Sequence, residues 1–545
     1  MDVPNRKLEK TIIAFISIGF LIWSFVFIYR SSFIAVDGKR YFCLFDDAMI
    51  SMRYAWNFSH GLGLVWNSGE YIQGYTNLLM TILMSLATLV FDKSTAVLFI
   101  QISGAGFMVA IAFVTMKISD HIVPNEDGQH QSFFRVLSFL CALSYYPLAY
   151  WSLMGMETGL LTLLLLLGIL SAFNYLETKN KSYLFLVSGF FGLAFLTRND
   201  SVVFAILVWV YITWETFTQT PKVNVKSLRQ LLSLISLYLT FVVGQLTFQY
   251  LYYGEILPNT YTLKLSGMPL LARIINGVGF VTPFLIVSAF VLVLASMEVV
   301  FDFQKRKLLL ITIVFSAIGY QVYVGGDPWN YWRMMAPSMP LLIVLFISAA
   351  NAIVLAISRT QAFKVYFLRN PIFSEKYIPQ ILVVSLILIG LLSVNVRFLP
   401  EILLLRKPYQ AEANQRNVNT AIVLSQLTTN DATVGVYWAG SIPYFTGRKA
   451  IDFLGKSDRR IAQLPPDMSG SIAWSGMNSV PGHNKYDLNY SIKTLEPTYV
   501  QDFRWGAQDL SQWAETKYIK VEYDGVSLFL LRDSPAILWH KINVP

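Results

Sequence analysis

Cysteine is almost missing from this chain of 545 residues: Cys43, beside an acidic pair, and Cys141, inside an apolar run, are the only two. Neither a disulfide framework nor a Cys-x-x-Cys metal site can be built from them. Histidine is scarce as well. His60, His121, His130, His483 and His540 form neither a His-Glu-x-x-His motif nor a pair four residues apart, so no transition-metal site is signalled. Charged residues make up 14% of the chain, about half the share of a soluble domain. No basic run interleaved with aromatics is present, which excludes nucleic acid as a partner. Gly435, Gly440 and Gly447 do not form a GxGxxG fingerprint, which argues against a nucleotide site there. Internal repeats, low-complexity tracts and a matched pair of Gly/Pro-broken spans, as in inverted-repeat transporters, are also lacking.

Apolar residues are plentiful: 55% of the chain is hydrophobic and the mean hydropathy is +0.51, which places it in a bilayer. Apolar stretches near 11–30, 95–116, 134–150, 158–176, 183–197, 201–218, 230–251, 275–298, 308–324, 337–358 and 378–396 predict about eleven transmembrane helices. The first follows Arg6, Lys7 and Lys10, is long for a signal-peptide core and has no small-residue cleavage site after it, so it reads as a retained span. With the amino terminus cytoplasmic, Lys179/Lys181, Lys222/Lys226/Arg229, Lys305/Arg306/Lys307 and Arg359/Lys364/Arg369/Lys376 fall inside, as the positive-inside rule requires. The short run 78–91 would invert that pattern if it crossed, and it reads instead as a helix lying on the outer face. Residues 1–397 thus form a membrane module with an extracytoplasmic first loop at 31–94. Residues 398–545, richer in Asn, Asp, Ser and Thr, predict a soluble extracytoplasmic mixed α/β domain. Strand character at 432–437 and a hairpin, Tyr518–Tyr523 joined through Asp524-Gly525 to 526–532, support that class.

Chemistry concentrates in the first loop. If the stretch from Phe45 to Asn57 is helical, Asp46, Ile50, Arg53 and Asn57 share one face. Adjacent carboxylates at a membrane surface repel, so one of Asp46 and Asp47 is either held by a divalent cation or keeps a raised pKa suited to taking a proton from a hydroxyl. The alternative is that both simply cap the helix. The following segment, with His60, Trp66, Asn67, Glu70, Tyr75 and Asn77 among glycines, offers aromatic faces and amides to sugar hydroxyls and ring C–H groups, or is a structured turn at the headgroups. Glu157 and Asp327 flank spans on the outer side, where each orients an arginine or acceptor, or else caps a helix or forms a surface pair. Gly325-Gly326 permits a tight turn or a close backbone approach. Arg53, Arg198, Lys264, Arg273 and Arg333 are left on the outside by the topology rule and need another explanation.

The run DDAMISMRYAWNFSHGLGLVWNSGEYIQGYTN resembles the first extracytoplasmic loop of the GT-C-type membrane glycosyltransferase family that contains mycobacterial arabinofuranosyltransferase B. Further segments fit in order: Trp151-Ser152-Leu153-Met154-Gly155-Met156-Glu157-Thr158, Gly325-Gly326-Asp327 with Arg333 and Pro337, Gly440-Ser441-Ile442-Pro443-Tyr444-Phe445-Thr446-Gly447 leading to Asp452, and Gly482-His483-Asn484-Lys485. Met49 departs from the family's usual aromatic, Gln73 from its acidic residue, and Arg198-Asn199-Asp200 from its Arg-Pro-Glu. The resemblance implies a GT-C fold in a bacterial inner membrane. It also implies inverting transfer of a sugar, arabinofuranose among the candidates, from a polyprenyl-phosphate donor to a cell-envelope glycan or lipid acceptor. Asp46 or Asp47 would be the base, and Arg53, Arg198, Lys264 and Arg333 would converge at headgroup depth to hold the donor phosphate. Asn57, His60, Trp66, Asn67, Glu70, Tyr75, Asn77, Glu157, Asp327 and His483 would surround sugar or acceptor. A transporter or flippase of lipid-linked saccharides is the alternative, and it predicts essential ionisable residues near the bilayer midplane. A noncatalytic glycan-binding membrane protein is a third.

Overall fold

The computed structural model describes residues 3–123, 128–219, 225–329, 331–360, 378–468, 482–503 and 508–542. Lys222, Lys364, Arg369 and Lys376, counted above for topology, lie outside them. Among the described residues, nine helices are long and apolar enough to cross a membrane: Val3–Ser31, Lys93–Ser119, Thr158–Thr178, Val202–Gln219, Val225–Tyr253, Leu270–Phe301, Lys305–Val324, Met339–Ser358 and Ile378–Asn395. The chain is a multi-pass membrane protein.

Two of the eleven expected spans depart from a straight crossing. The stretch 134–150 is a bent pair, Gln131–Ser144 and Tyr146–Leu153, with 58° between its arms. Pro147 supplies the reason, because it has no N–H to continue the ladder of the preceding turn. Ser182–Thr197 has 16 residues, about 24 Å of helix against a ~30 Å core. The run 78–91 forms the separate helix Leu78–Val90, which buries Met80, Thr81, Met84 and Thr88 and exposes Ile82, Leu86, Leu89 and Val90 along one stripe.

Connections alternate between the two ends of the bundle. One end carries the segments 31–92, 154–157, 198–201, 254–269 and 325–335 and everything after Asn395. At the other end Glu177 meets His121 and Arg306, Lys305 meets Glu215, and the buried Lys307 bridges Glu298 and Asp302.

A short ribbon opens the first loop, β1 (Phe33–Ile34) paired with β2 (Arg40–Tyr41). The C-terminal region builds a five-stranded mixed sheet from β3 (Thr433–Val436), β4 (Lys449–Asp452), β5 (Tyr499–Val500), β6 (Tyr518–Tyr523) and β7 (Val526–Leu531), in the order β4-β3-β5-β7-β6. β4, β3 and β5 run parallel, while β7 and β6 form the expected hairpin. Asp524 and Gly525 both have positive φ there, as a two-residue turn of matching twist requires.

The sheet region is fastened to the first loop by the helix Asp46–Ser59. The buried Arg53 donates to the carbonyls of Trp66 (2.5 Å), Arg448 (2.7 Å) and Pro443, and to Asn67 Oδ1 (3.0 Å), with Trp66 beneath its guanidinium at 5.2 Å. Asn67 continues the join by exchanging hydrogen bonds with both the N–H and the carbonyl of Ala450 on β4. Arg53→Met takes a donor from each of these carbonyls, leaving Trp66 with Asn57 and Pro443 with the Gly447 N–H, and it is expected to destabilise the join by roughly 3 kcal/mol. Hydrogen exchange across residues 440–452 would accelerate; unchanged exchange there would refute a fastening role.

Candidate functional site

The turn of one helix separates the two neighbouring aspartates. Asp46 points toward the C-terminal region, where its carboxylate accepts the backbone N–H groups of Gly440 (3.1 Å) and Ser441 (2.9 Å) and the Ser441 hydroxyl (3.0 Å). A side chain at position 440 would collide with the backbone carbonyl of Asp46, its Cβ only 2.0 Å from the oxygen, so glycine is required for this approach. Ile50, Arg53 and Asn57 share the Asp46 face as expected, and all are buried. That face is a packing surface: Asn57 donates to the carbonyls of Val65 and Trp66.

Asp47, about 100° further round, looks into a charged cluster. Its Oδ1 accepts from Lys456 Nζ at 2.6 Å; its Oδ2 accepts from Trp329 Nε1 at 3.2 Å and Arg333 Nη1 at 3.3 Å. Arg333 also pairs with Asp327 at 2.9 Å. The other Asp327 oxygen, Oδ1, is buried with no partner among the described residues. Lys264, from the short helix Asn259–Leu265, lies close enough to Asp327 and Asp47 to feel both charges, with its stem against Gly482.

Backbone geometry explains how distant segments meet here. Lys456 stands in the turn after β4, Trp438 in the turn after β3 and Gln501 directly after β5, so the carboxyl ends of all three parallel strands open onto the site. A crevice at that edge is where open α/β sheets hold ligands. The turn is fixed by the buried Asp452, which accepts the N–H groups of Leu454 (3.0 Å) and Ser457 (2.8 Å). Arg333 arrives on a loop that leaves its helix through Gly325 and Gly326, both with positive φ; a Cβ on Gly326 would strike Phe280. Tyr331 and Trp332 also have positive φ, a conformation of higher energy for such residues. The Tyr331 hydroxyl bonds Glu401 at 2.7 Å and its carbonyl accepts Trp151 Nε1 at 3.0 Å, which holds the loop in place.

Electrostatics divides the two carboxylates. Burial raises the Asp46 pKa, and the Asp47 charge adds to it, against the opposing Ser441 and Lys456. Burial also acts on Asp47, but Lys456, Arg333 and Lys264 outweigh it and hold that carboxyl well below the usual range. Asp47 is therefore ionised at neutral pH. Burial depresses the Lys264 pKa, with Asp327 and Asp47 opposing. It pushes Asp452 up to about 6 against the Ser457 N–H and Lys456.

Arg198 belongs to a neighbouring network. It pairs with Glu157 at 2.8 Å and with Asp200 at 2.7 Å, while Glu157 accepts from Asn77 and Asn77 from Ser51. A small cavity lined by Arg198, Asp200, Tyr320 and Arg333 lies between this network and the cluster. Glu157 and Asp327 are thus buried partners of arginines, neither a surface pair nor a side-chain cap.

The structure brings Asp47, Lys264, Asp327 and Arg333 together, with His483 at the rim, its ring 6.1 Å from that of Trp329. It does not bring Arg53, whose guanidinium is spent on the join described above. His60 stacks on Trp56 at 3.9 Å on the exposed side. Trp66 donates to the Ala439 carbonyl, Glu70 pairs with Lys449, and Tyr75 packs against Tyr54 and meets the Tyr253 hydroxyl at 3.1 Å, so these and Asn67 shape the loop and its join. Lys456 and Trp329 escaped sequence reasoning. Lys456 is a lone lysine in a Gly-Ser turn four residues beyond Asp452, and Trp329 stands between two residues that were singled out, Asp327 and Arg333.

Both Asp46 oxygens accept N–H groups and both Asp47 oxygens face cations or an indole N–H, so a divalent cation at the pair would compete with Lys456 and Arg333 for Asp47. Among the described residues no group of three or more His, Cys, Asp or Glu side chains is placed to hold a metal.

A family model described as a domain of unknown function (DUF8728) matches residues 405–532. No curated protein matches the chain. Among solved structures, ArnT from Cupriavidus metallidurans bound to undecaprenyl phosphate is similar over 95% of this chain and 98% of its own, at 10% identity and a TM-score of 0.56. The oligosaccharyltransferase from Archaeoglobus fulgidus in its apo form is similar over 97% of this chain and 75% of its own, at 11% identity and a TM-score of 0.53. The likeness is one of fold: this chain is a polytopic α-helical membrane protein of the GT-C fold with a mixed α/β C-terminal region.

Proposed function

We propose that this protein transfers a sugar from a polyprenyl-phosphate carrier to a hydroxyl of a cell-envelope glycan or lipid, inverting at the anomeric carbon, with Asp47 as general base. The observation that carries this reading is the Asp47 carboxylate set among Lys456, Arg333 and Lys264 at one end of the helical bundle. A lipid-anchored phosphate arrives at that depth. Lys456, Arg333 and Lys264 all face Asp47, with Asp327 paired to Arg333, so a phosphate entering the cluster meets basic side chains from three segments. A glycosyl phosphodiester carries one negative charge.

In the reaction the acceptor oxygen forms a bond to the anomeric carbon as the bond from that carbon to the phosphate oxygen breaks. The electron pair leaves on the phosphate, and the hydroxyl proton passes to Asp47. The second charge that develops on the leaving phosphate is met by the same cations. Once the phosphate shares those cations, Asp47 is less stabilised as an anion and becomes a better base. Asp46, saturated by Gly440 and Ser441, serves as the anchor of the sheet region. Undecaprenyl phosphate bound in one protein of this fold, and oligosaccharide transfer named for another, support a lipid carrier and a glycan product. The resemblance in the first loop supports arabinofuranose as the first sugar to try. The charged cluster sits at helix ends and not midway along the spans, which favours transfer over a flippase.

The membrane is proposed to be the bacterial inner membrane, with the amino terminus cytoplasmic and the site outside. Single cysteines at Ser68 and Lys305 test the orientation in intact cells: an impermeant thiol reagent should label the first and spare the second, and the reverse pattern would invert the topology.

With a panel of polyprenyl-phosphate sugars and extracted envelope glycan, Asp47→Asn should slow transfer by about 10²-fold or more. Asp46→Asn, compared at equal folded level, should lose far less. A dead Asp46→Asn beside an active Asp47→Asn would reverse the assignment. The pH profile offers a separate check. Asp452 takes up a proton as pH falls through about 6, weakening its grip on the Ser457 N–H and with it the placement of Lys456. Transfer should therefore decline below about pH 6, and Asp452→Asn should flatten that limb at a low level. A limb that persists unchanged in the variant would assign it elsewhere.

A further inference from the structure

Beside Asp47 lies a group of partly exposed rings that the charge-based reading does not use. Trp329, whose indole N–H reaches Asp47 at 3.2 Å, has Trp438 at 5.9 Å and His483 at 6.1 Å, with Phe45 closing its far edge at 4.9 Å. Trp329, Trp438 and His483 are each intermediate in exposure, whereas Phe45 is fully buried. Trp438 is positioned deliberately: the backbone N–H groups of Tyr437 and Trp438 both donate to Gln501 Oε1, at 2.9 and 3.1 Å. The turn after β3 is thereby tied to the end of β5.

We propose that Trp438, Trp329 and His483 form the acceptor subsite and that its ligand is a saccharide ring, so that the acceptor is a glycan. The inference rests on the reading of Asp47 as base. A shelf with apolar faces on one side and an ionic cluster on the other fits a ligand that has both a C–H face and hydroxyls. An acyl chain laid on the same shelf would leave the edges of the cluster without partners. A sugar stacked on Trp438 presents its rim hydroxyls toward the Trp329 indole, tilted 45° to it, whose N–H edge lies at Asp47. The shelf draws one ring from the helical module and two from the C-terminal region, which gives that region a role in choosing the acceptor.

The test uses the full chain in nanodiscs and a panel of short arabino-, galacto- and manno-oligosaccharides, with binding read by saturation-transfer NMR in the absence of donor. At least one oligosaccharide should bind, and Trp438→Ala should weaken it about tenfold at an unchanged melting temperature. Trp438→Phe, which keeps a ring, should recover most of the affinity. In transfer assays the acceptor KM should rise in Trp438→Ala more than kcat falls. If the wild-type protein binds none of the panel, or if Trp438→Ala binds as the wild type does, the saccharide shelf is overturned. Donor cleavage by water, followed in the wild-type protein and in Asp47→Asn without any glycan, reports on the catalytic reading alone. A failure there is thus distinguishable from failure of the shelf.

Discussion

Two neighbouring carboxylates cannot be buried together unless each finds its own compensation, and the helix beginning at Asp46 meets that constraint by turning them apart. Asp46 receives backbone N–H groups from the C-terminal region; Asp47 receives cations from three other segments. Desolvation of an unpaired carboxylate costs several kcal/mol, so each partner set has to be present for the helix to sit where it does. The same requirement explains why Gly440 must lack a side chain and why Lys456 is delivered on a turn that Asp452 fixes. Site and fold are in this sense one construction: the contact that docks the sheet region is one residue away from the carboxylate that faces the cluster.

The second consequence concerns how a membrane protein holds a polar centre. The cluster is assembled where helices end and loops begin, so its backbone groups are satisfied by turns and by the sheet, with no need to break a span at mid-bilayer. The strained conformation at Tyr331 is stabilised by Glu401 and Trp151, and the loop it belongs to delivers both Arg333 and Trp329. Charge and aromatic surface therefore arrive together, as a phosphate-bearing donor and a ring-shaped acceptor would need.

Much of the architecture was legible beforehand. Spans are set by local composition, because lipid requires each helix to satisfy its own backbone, and the hairpin at Asp524-Gly525 is set by the two residues of its turn. The bend at Pro147 was legible in principle, since proline has no N–H to give. The helical face through Asp46, Ile50, Arg53 and Asn57 was read correctly as a face, yet its use was not: hydrophobic and polar periodicity reports which residues point the same way and is silent on what they point at.

By itself, then, the sequence determined the membrane-embedded helices, the mixed α/β region after them, and the concentration of acids and cations at one set of helix ends. These follow from local hydropathy, turn chemistry and residue type. Only the tertiary structure decided that Arg53 fastens one region to another while Arg333 reaches Asp47, and that Lys456, more than 400 residues away along the chain, supplies the shortest contact to that carboxylate, at 2.6 Å. The physical reason is that a pairing between remote segments depends on the directions in which helices and strands end, and those directions are fixed by packing across the whole chain.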